Sequence, residues 1–340
     1  MMLSKVEIIK NKLVTDIKRG VFRVGEKITS RNKLCRKYNY SRTTIDRAIQ
    51  ELTSAGYLAS RQGSSTYVIS VEPIDKPQHL FVVSGFEGQT SENAIRELFF
   101  PEINLNIPLS GMPESEVARN LNHLCQPGSV IIWNSPSLES IHLMDYIDKA
   151  GIPQILVNRK YNNYDYVATD AKSSIKEGLS WLMIEAGRDI AFVSYKATTD
   201  KPYLHERIIA FYESCVELSA HLAPDSIFSR DFIDIPSEVA EVGRSLFAGG
   251  KAPKGIFVMH HNLILPLVTV AQTYGFMPGR DYKLLTFDYI NGLENYTGIG
   301  MLEQQYKQLY REAAGWLLKN PIAQRQAFKK DIKTELVTVK

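Results

Sequence analysis

Residues 41–48 read Ser-Arg-Thr-Thr-Ile-Asp-Arg-Ala, and this stretch decides how the N-terminal part of the chain folds. Ser41 is suited to cap a helix over residues 42–55, because a serine oxygen accepts the unpaired backbone N–H groups of a first helical turn. Gly56 gives that helix its C-terminal stop. Apolar residues recur along the helix at spacings of three and four, which predicts a buried stripe of Ile45, Ala48, Ile49 and Leu52.

Two further helices and a β-hairpin are predicted around this helix. Apolar spacing places a helix over residues 5–19, and a shorter helix over residues 30–38 precedes the capping serine. Two short strands follow at residues 57–60 and 66–69, joined by a loop that contains a glycine. Three short helices and a two-stranded wing make a winged helix-turn-helix domain, which we place at residues 1–70.

Charge is divided unequally between this domain and the rest of the chain. The 340 residues carry 40 basic and 37 acidic side chains, a net charge of +3. Residues 1–70 hold 14 of the basic and 5 of the acidic side chains, so they carry +9, whereas residues 71–340 carry −6. A basic domain on an acidic remainder favours a polyanion as the partner of the basic domain, and helix 42–55 fits a DNA major groove.

Side chains on the exposed face of helix 42–55 have the chemistry of DNA contacts. Arg42 and Arg47 can make charge-assisted hydrogen bonds, and Thr43 and Thr44 place hydroxyls near the helix N-terminus. The alternative interpretation is that they are solvated polar groups on an ordinary helix. We favour DNA contact because the helix pattern, the net charge and the wing coincide.

Residues 13–69 resemble the winged-helix domain of GntR-type regulators. The resemblance rests on the stretches 17–20, 24–28, 41–48, 56–58 and 62–68. It implies double-stranded operator DNA as the partner, with the contacts of the family falling on Ser41, Arg42, Thr43, Thr44 and Gly63. The full set of candidate DNA-binding residues is Arg31, Ser41, Arg42, Thr43, Thr44, Arg47, Arg61 and Gly63.

Two positions depart from the pattern of that family. Where it usually reads Pro-Ser-Glu-Arg, residues 29–32 of this chain read Thr-Ser-Arg-Asn. The arginine that often contacts DNA from the second helix is therefore displaced or replaced. Asp46 stands where some members carry a basic contact. The operator sequence can therefore not be transferred from a relative.

Beyond a proline-containing linker at residues 71–79, strands alternate with helices. The predicted strands are 80–84, 103–109, 129–134, 153–158, 190–195, 255–260 and 283–287. Such alternation predicts an α/β fold with mostly parallel sheets, in which ligands bind beyond the carboxyl ends of the strands. We expect an effector and dimerisation domain over 80–340 with two subdomains, one at 80–158 and 290–320 and the other at 159–289.

This part of the chain resembles the effector domain of LacI/GalR regulators, which is similar to periplasmic sugar-binding proteins. The resemblance rests on residues 151–159, 167–170, 186–193, 206–211, 284–288 and 303–304. A GntR-type domain on a LacI-type body resembles the arabinose-repressor subgroup. The resemblance implies a periplasmic-binding-protein-like fold with two subdomains and a small sugar as the effector.

The same resemblance points to polar residues near the ends of the predicted strands. Arg207 is the clearest match, and its planar guanidinium can donate two hydrogen bonds to neighbouring sugar hydroxyls. Asp288 follows an apolar strand and can accept from hydroxyls, with a structural loop contact as the alternative. The family has Asn-Asp where this chain has His260-His261, and these histidines are either ligand contacts or hydrogen-bonded structural residues.

Further residues complete the candidate effector site. Asn134 follows Trp133 at a strand end, and Trp133 either stacks on a sugar or packs in the core. Asn158, Arg159 and Gln304 lie near the predicted subdomain crossings, as ligand or hinge residues. The candidate effector-binding residues are Arg207, Asp288, His261, His260, Asn134, Trp133, Asn158, Arg159 and Gln304.

Other classes of function have no matching pattern in the sequence. Without a phosphate-binding loop, a GxSxG elbow or an HExxH pair, no catalytic residue, enzyme activity or cofactor is predicted. The 3 cysteines are far apart and fit neither a metal site nor a disulfide framework, which favours a reducing compartment. No signal peptide or membrane-spanning apolar run is present, so we expect a cytoplasmic protein without a membrane partner.

These patterns predict a DNA-binding transcription regulator that acts as a homodimer, because one recognition helix reads half of a two-fold operator. We expect a repressor of carbohydrate-utilisation genes that a small sugar releases, with L-arabinose and L-fucose as guesses. The alternative is a DNA-binding regulator whose body docks a protein and takes no sugar.

Overall fold

The computed structural model describes residues 4–60, 66–70, 72, 74–161, 163–198, 201–322 and 327–339. Its N-terminal part consists of three helices and a two-stranded antiparallel hairpin: α1 (Lys5–Lys18), α2 (Arg31–Tyr38), α3 (Arg42–Ser54), β1 (Leu58–Ser60) and β2 (Thr66–Val68). This order confirms the predicted winged helix-turn-helix. Arg61 and Gly63, two of the predicted DNA contacts, lie outside the described residues.

The three helices are held by an apolar core and defined by their caps. The core contains Ile9, Leu13, Ile17, Leu34, Ile45, Ile49, Leu52 and Leu58. Ser4 and Glu7 form a reciprocal capping box at the start of α1. Asn39 ends α2 with a φ of 58°, a left-handed conformation that asparagine tolerates better than most residues. That residue turns the chain sharply into α3, which produces the helix-turn-helix.

The first α/β sheet has six strands: β3 (His79–Ser84), β4 (Leu109–Pro113), β5 (Ser129–Asn134), β6 (Gln154–Val157), β7 (Asp165–Thr169) and β13 (Lys329–Ile332). Their order is β13-β7-β6-β5-β3-β4, and the strands from β7 to β4 run parallel. The associated helices are α4 (Glu92–Phe99), α5 (Val117–Leu124) and α6 (Ile141–Lys149). All six residues of β5 are buried, as expected for a parallel strand covered on both faces.

The second α/β sheet also has six strands: β8 (Ile190–Tyr195), β9 (Ile227–Arg230), β10 (Gly255–Val258), β11 (Lys283–Phe287), β12 (Ile299–Glu303) and β14 (Glu335–Thr338). Their order is β14-β12-β11-β10-β8-β9, with β14 antiparallel to β12 and the other pairs parallel. The helices of this part are α7 (Ala171–Ala186), α8 (Pro202–Leu218), α9 (Ile235–Phe247) and α10 (His261–Thr273). The predicted residues His260 and Asp288 lie just beyond the carboxyl ends of β10 and β11.

The chain forms two compact units. The first comprises Met1–Ala168 with Lys307–Lys330, and the second Thr169–Tyr306 with Asp331–Lys340. Helix α11 (Tyr306–Leu318) belongs almost entirely to the first unit. A winged helix-turn-helix followed by two parallel-sheet units confirms the predicted fold class. Among the described residues, no helix combines the length and the apolar character that crossing a membrane requires.

Several elements differ from the sequence-based expectation. The strand expected at residues 103–109 begins at Leu109, because β3 pairs with the segment that starts there, with Leu80 opposite Leu109. The strands β7, β9, β12, β13 and β14 were not predicted. β9 lies at a sheet edge and is only partly buried, and β13 carries charged residues, so neither has the apolar run of a central strand. β12 pairs in the second sheet, although residues 290–320 were expected in the first subdomain.

Candidate DNA-binding face and candidate effector site

The first turn of α3 gathers three hydroxyl groups. Ser41 caps the helix, accepting the backbone N–H of Thr44 at 3.3 Å, as the sequence predicted. The Ser41 hydroxyl also lies 2.8 Å from the Thr44 hydroxyl oxygen and 3.1 Å from that of Thr43. Hydroxyls beside the N–H groups of a helix N-terminus suit phosphate oxygens, so this turn is chemically fit to hold a DNA backbone.

The arginines of α3 are exposed and paired along the helix. Arg42 lies 3.7 Å from Asp46 and Arg47 lies 3.4 Å from Glu51, each measured from Nε to a carboxylate oxygen. Their side chains remain 71% and 73% exposed, so most of each guanidinium is accessible to a partner. Arg31 of α2 also lies 3.4 Å from Asp46. Arg31, Arg42 and Asp46 thus form one charged group, and Arg47 and Glu51 form a separate pair.

The middle of α3 borders a cleft of about 510 Å³ inside the first unit. Asp46 and Gln50 line it on one side, and Tyr146 and Lys149 of α6 line it on the other. The first turn of α3, with Ser41 and its neighbours, is not part of that lining and is exposed to solvent.

In the second unit, Arg207 of α8 forms the centre of the candidate effector site. Only 6% of its surface is exposed, and its guanidinium carbon lies 3.7 Å from the ring centre of Phe287. The Tyr203 ring, one helical turn earlier, is 4.9 Å away. Nη1 lies 4.0 Å from an oxygen of Asp288, a long distance for an ion pair. Arg207 is therefore buried and oriented by aromatic rings rather than by a close carboxylate.

Asp288 is held in an unusual backbone conformation at the carboxyl end of β11. Its φ of 84° lies in the left-handed region, where a residue other than glycine is strained. Gln304, which is buried, donates through Nε2 to the Asp288 carboxylate and to the Tyr306 hydroxyl at 2.9 Å. The amide oxygen of Gln304 accepts from the Thr169 hydroxyl at 2.8 Å. Gln304 thus positions Asp288, and strain at that position is typical of a functional site.

His260 is the N-cap of α10. Its Nδ1 accepts the backbone N–H of Asn262 at 3.3 Å, and its Nε2 lies 3.1 Å from the Tyr203 hydroxyl. Burial lowers the pKa of His260 to about 3, helped by the nearby His261, Arg207 and Lys201. The neutral ring therefore carries its proton on Nε2 and donates it to Tyr203. This geometry matches the structural alternative considered for His260.

His261 occupies a different environment from its neighbour. Its side chain is 54% exposed, and its ring stacks on that of His260 at 4.5 Å between centres. Nδ1 lies 3.9 Å from the same Asp288 oxygen that Arg207 approaches. His261, Arg207 and Asp288 thus converge on one place, with both acceptor and donor groups available for hydroxyls.

In the first unit, Trp133 does not belong to a ligand site. It is fully buried in the core beside Phe81, and its Nε1 donates to the Gln154 side chain at 2.9 Å. Of the two interpretations of Trp133, core packing therefore matches the structure, because the ring has no exposed face. Alternation along β5 directs the next residue, Asn134, away from that core.

Asn134 is buried with one polar atom unsatisfied. Its Nδ2 donates to Gln89 at 2.7 Å, whereas its Oδ1 has no hydrogen-bond partner among the described residues. Asn158 follows β6 with a φ of 59°, and Arg159 donates to its carbonyl at 2.6 Å. The structure therefore gathers Arg207, Asp288, His260, His261 and Gln304 in the second unit. The other three predicted polar residues follow strands of the first unit.

Sequence reasoning missed four residues of the second-unit site. Tyr203 and Phe287 flank Arg207, while Thr169 and Tyr306 bond to Gln304. Tyr203 had a usable signal, because it precedes Arg207 by one helical turn and therefore shares its face. Among the described residues, no group of three histidine, cysteine or acidic side chains could hold a metal ion.

Comparison with known proteins identifies the family. The model of bacterial regulatory proteins of the gntR family matches residues 5–68. A probable fructoselysine utilization operon transcriptional repressor from Shigella flexneri is 40% identical over 246 residues, which cover 69% of this chain and 87% of that protein. The chain belongs to the GntR family of bacterial transcriptional regulators. Another relative of this GntR-family chain is an arabinose metabolism transcriptional repressor from Halalkalibacterium halodurans, 23% identical over 313 residues, covering 84% of this chain and 81% of that protein.

Solved structures show which fold the body of this GntR-family chain has. A regulatory protein of the LacI family from Chloroflexus aggregans superposes with a TM-score of 0.62 at 11% identity, covering 76% of this chain and 97% of that one. The LacI family regulator CCPA from Weissella paramesenteroides, solved with bound glucose, gives a TM-score of 0.56 at 17% identity, with 76% and 96% covered. The α/β part therefore has the fold of LacI-family regulators, as its sequence resemblance implied.

Proposed function

We propose that this regulator is a homodimeric repressor of carbohydrate-utilisation genes, released from its operator by a small sugar. The relatives support this proposal, since two of them are named as repressors of fructoselysine utilization and of arabinose metabolism. The structural observation that carries it is the buried Arg207 beside Asp288 and His261. We expect the protein to act in the cytoplasm, where operator DNA is found.

The environment of Arg207 supports a polar effector. A buried guanidinium is costly unless its N–H groups find acceptors, and Asp288 offers one only at 4.0 Å. Vicinal sugar hydroxyls match the spacing of the guanidinium N–H groups, and the partly exposed ring of Tyr203 suits the apolar face of a sugar. Asp288 and His261, which approach the same place, would bind further hydroxyls.

The proposed DNA-binding residues lie on α3, at its cap and beside it: Arg31, Ser41, Arg42, Thr43, Thr44 and Arg47, with Arg61 and Gly63 of the loop outside the described residues. We retain the predicted division into a DNA-binding domain at 1–70, a linker at 71–79 and an effector domain at 80–340. Sugar binding shifts the effector domain toward a form in which the two DNA-binding domains of the dimer no longer fit the operator.

A thermal-shift screen tests the effector proposal. The panel contains monosaccharides and their phosphates, with L-arabinose and L-fucose first, because ligands that bind only the folded state raise its melting temperature. We expect one class of sugar to raise the melting temperature and to lower operator affinity at fixed salt. A panel without any shift, together with normal operator binding, would instead favour a body that docks a protein.

A further inference from the structure

The two positions at which the DNA-binding domain departs from its family contact each other. Arg31 stands one position before the usual arginine of the second helix, and Asp46 stands where some members of the family carry a basic contact. In the structure, Nε of Arg31 lies 3.4 Å from one oxygen of Asp46. Nε of Arg42 lies 3.7 Å from the other oxygen. One carboxylate thus joins arginines of α2 and α3.

A third contact ties this group to the wing. Nη1 of Arg31 donates to the Thr66 hydroxyl at 3.0 Å, and Thr66 is the buried first residue of β2. Arg31 is therefore held at two points, by α3 through Asp46 and by the wing through Thr66. Asp46 is 47% exposed and Arg42 is 71% exposed. Ion pairs this exposed contribute little to folding stability, so stability does not explain the arrangement.

The arrangement does affect what Arg42 can present to DNA. The atom of Arg42 nearest to the Asp46 carboxylate is Nε, at 3.7 Å, and not either of the two terminal nitrogens. Two such nitrogens match O6 and N7 of guanine in the major groove, the commonest specific contact of arginine with a base. The carboxylate also offsets part of the positive charge that attracts phosphates without regard to sequence.

We propose that Asp46 is a positioning residue that sets operator specificity by orienting Arg31 and Arg42, without touching DNA itself. This inference rests on the proposed DNA-binding role of α3. Two effects follow from the same carboxylate: it fixes the direction of the arginines, and it weakens binding to unrelated DNA. Removing its charge therefore raises non-specific affinity while it lowers the preference for the operator.

The test uses the full-length protein and the operator that wild type selects from random duplexes. Binding of that operator and of an unrelated duplex is measured by fluorescence anisotropy for wild type and Asp46→Asn over a range of salt concentrations. We expect Asp46→Asn to bind the unrelated duplex more tightly, and the ratio of operator to non-specific affinity to fall by about tenfold. The melting temperature changes little, because the pair is exposed.

Glu51→Gln is the matched control. It changes the net charge equally on the same helix, but it releases Arg47 at 3.4 Å and Lys10 at 2.8 Å rather than Arg31 and Arg42. Both variants should bind unrelated DNA more tightly because each gains positive charge. Only in Asp46→Asn is the ratio of operator to non-specific affinity expected to fall. Equal ratios in the two variants would overturn the positioning role.

Three further outcomes are distinguishable. Asp46→Asn could lose sequence preference at one cytosine-containing base pair of the operator while Arg31→Ala keeps the preference at that base pair. In that case Asp46 reads the base directly and the positioning role is wrong. If wild type itself selects no sequence from the random duplexes, the DNA-reading role of α3 fails first. A shared loss in Asp46→Asn and Arg31→Ala that is not additive in the double variant supports the proposal.

Discussion

The guanidinium carbon of Arg207 lies 3.7 Å from the ring centre of Phe287, and Phe287 directly precedes Asp288 at the end of β11. One strand end therefore supplies both the aromatic ring against which Arg207 packs and the carboxylate that it approaches at 4.0 Å. Since this strand lies within a buried parallel sheet, the two contacts are fixed relative to each other. The proposed effector function depends on that fixed geometry.

Arg207→Ala is expected to abolish the sugar-dependent rise in melting temperature and the sugar-dependent release of operator. Operator affinity without sugar should stay within about twofold of wild type, because Arg207 belongs to the second unit and α3 to the first. Thermal shift and fluorescence anisotropy measure the two properties. Arg188→Ala, at an exposed arginine of the same unit, serves as the control and should keep the full response.

Arg42→Ala is expected to lower operator affinity by about 10- to 100-fold, the range that one bidentate base contact is worth. Its sugar-dependent thermal shift should match that of wild type. Arg19→Ala removes an exposed arginine from the same domain without altering α3, and it should lower affinity much less. If Arg42→Ala loses sugar binding together with DNA binding while it remains folded, the separation of the two functions is wrong.

Gln304→Leu is expected to lower the free energy of unfolding by about 1–3 kcal/mol, because the Thr169 hydroxyl and the Asp288 carboxylate lose a buried partner. It should also weaken sugar binding, since Asp288 loses the group that orients it. Urea unfolding and sugar titration measure the two effects, with Gln305→Leu as the neighbouring control. If the variant is destabilised but binds sugar as tightly as wild type, Gln304 supports the fold and has no role in sugar binding.

His260 predicts a specific dependence of stability on acid. Its pKa is about 3 in the folded protein, against about 6.5 in an unfolded chain, so the unfolded state binds more protons between these values. The stability that the neutral ring contributes is present above pH 6.5 and is lost progressively as pH falls toward 3. His260→Asn, which keeps a capping acceptor but does not titrate, should lose about 2 kcal/mol less than wild type between pH 7 and pH 5.

Urea unfolding at these two pH values, on protein without sugar, measures that difference. His261→Asn is the appropriate comparison, because its side chain is exposed next to the same helix start. An equal loss of stability in wild type and His260→Asn would show that the histidine is not the group responsible.

The elements of the DNA-binding domain could be predicted from sequence because their signals are local. Ser41 precedes an apolar stripe of helical period, and both the cap and the stripe are present in the structure. Central strands such as β5 were predicted for the same reason, since every residue in them is buried and the run is apolar. Edge strands such as β9 lack that run, because half-buried positions do not select for apolar side chains.

Contacts between distant residues could not be predicted in this way. Tyr203 and His260 are 57 positions apart, and no property of either residue indicates that their side chains form a hydrogen bond. Arg31 and Asp46 were visible only as two separate departures from a family pattern, and the fold shows that they form one ion pair. Trp133 was ambiguous because an aromatic residue at a strand end has the same sequence signal in a core as in a sugar site.

The most direct test of the account is operator affinity at fixed salt, measured with and without a saturating concentration of a sugar that raises the melting temperature. Wild type and Arg207→Ala are compared by fluorescence anisotropy on the same operator. If the proposed function is correct, the sugar weakens operator binding by wild type and leaves binding by Arg207→Ala unchanged. Operator affinity of wild type that does not change while the sugar is bound would contradict it.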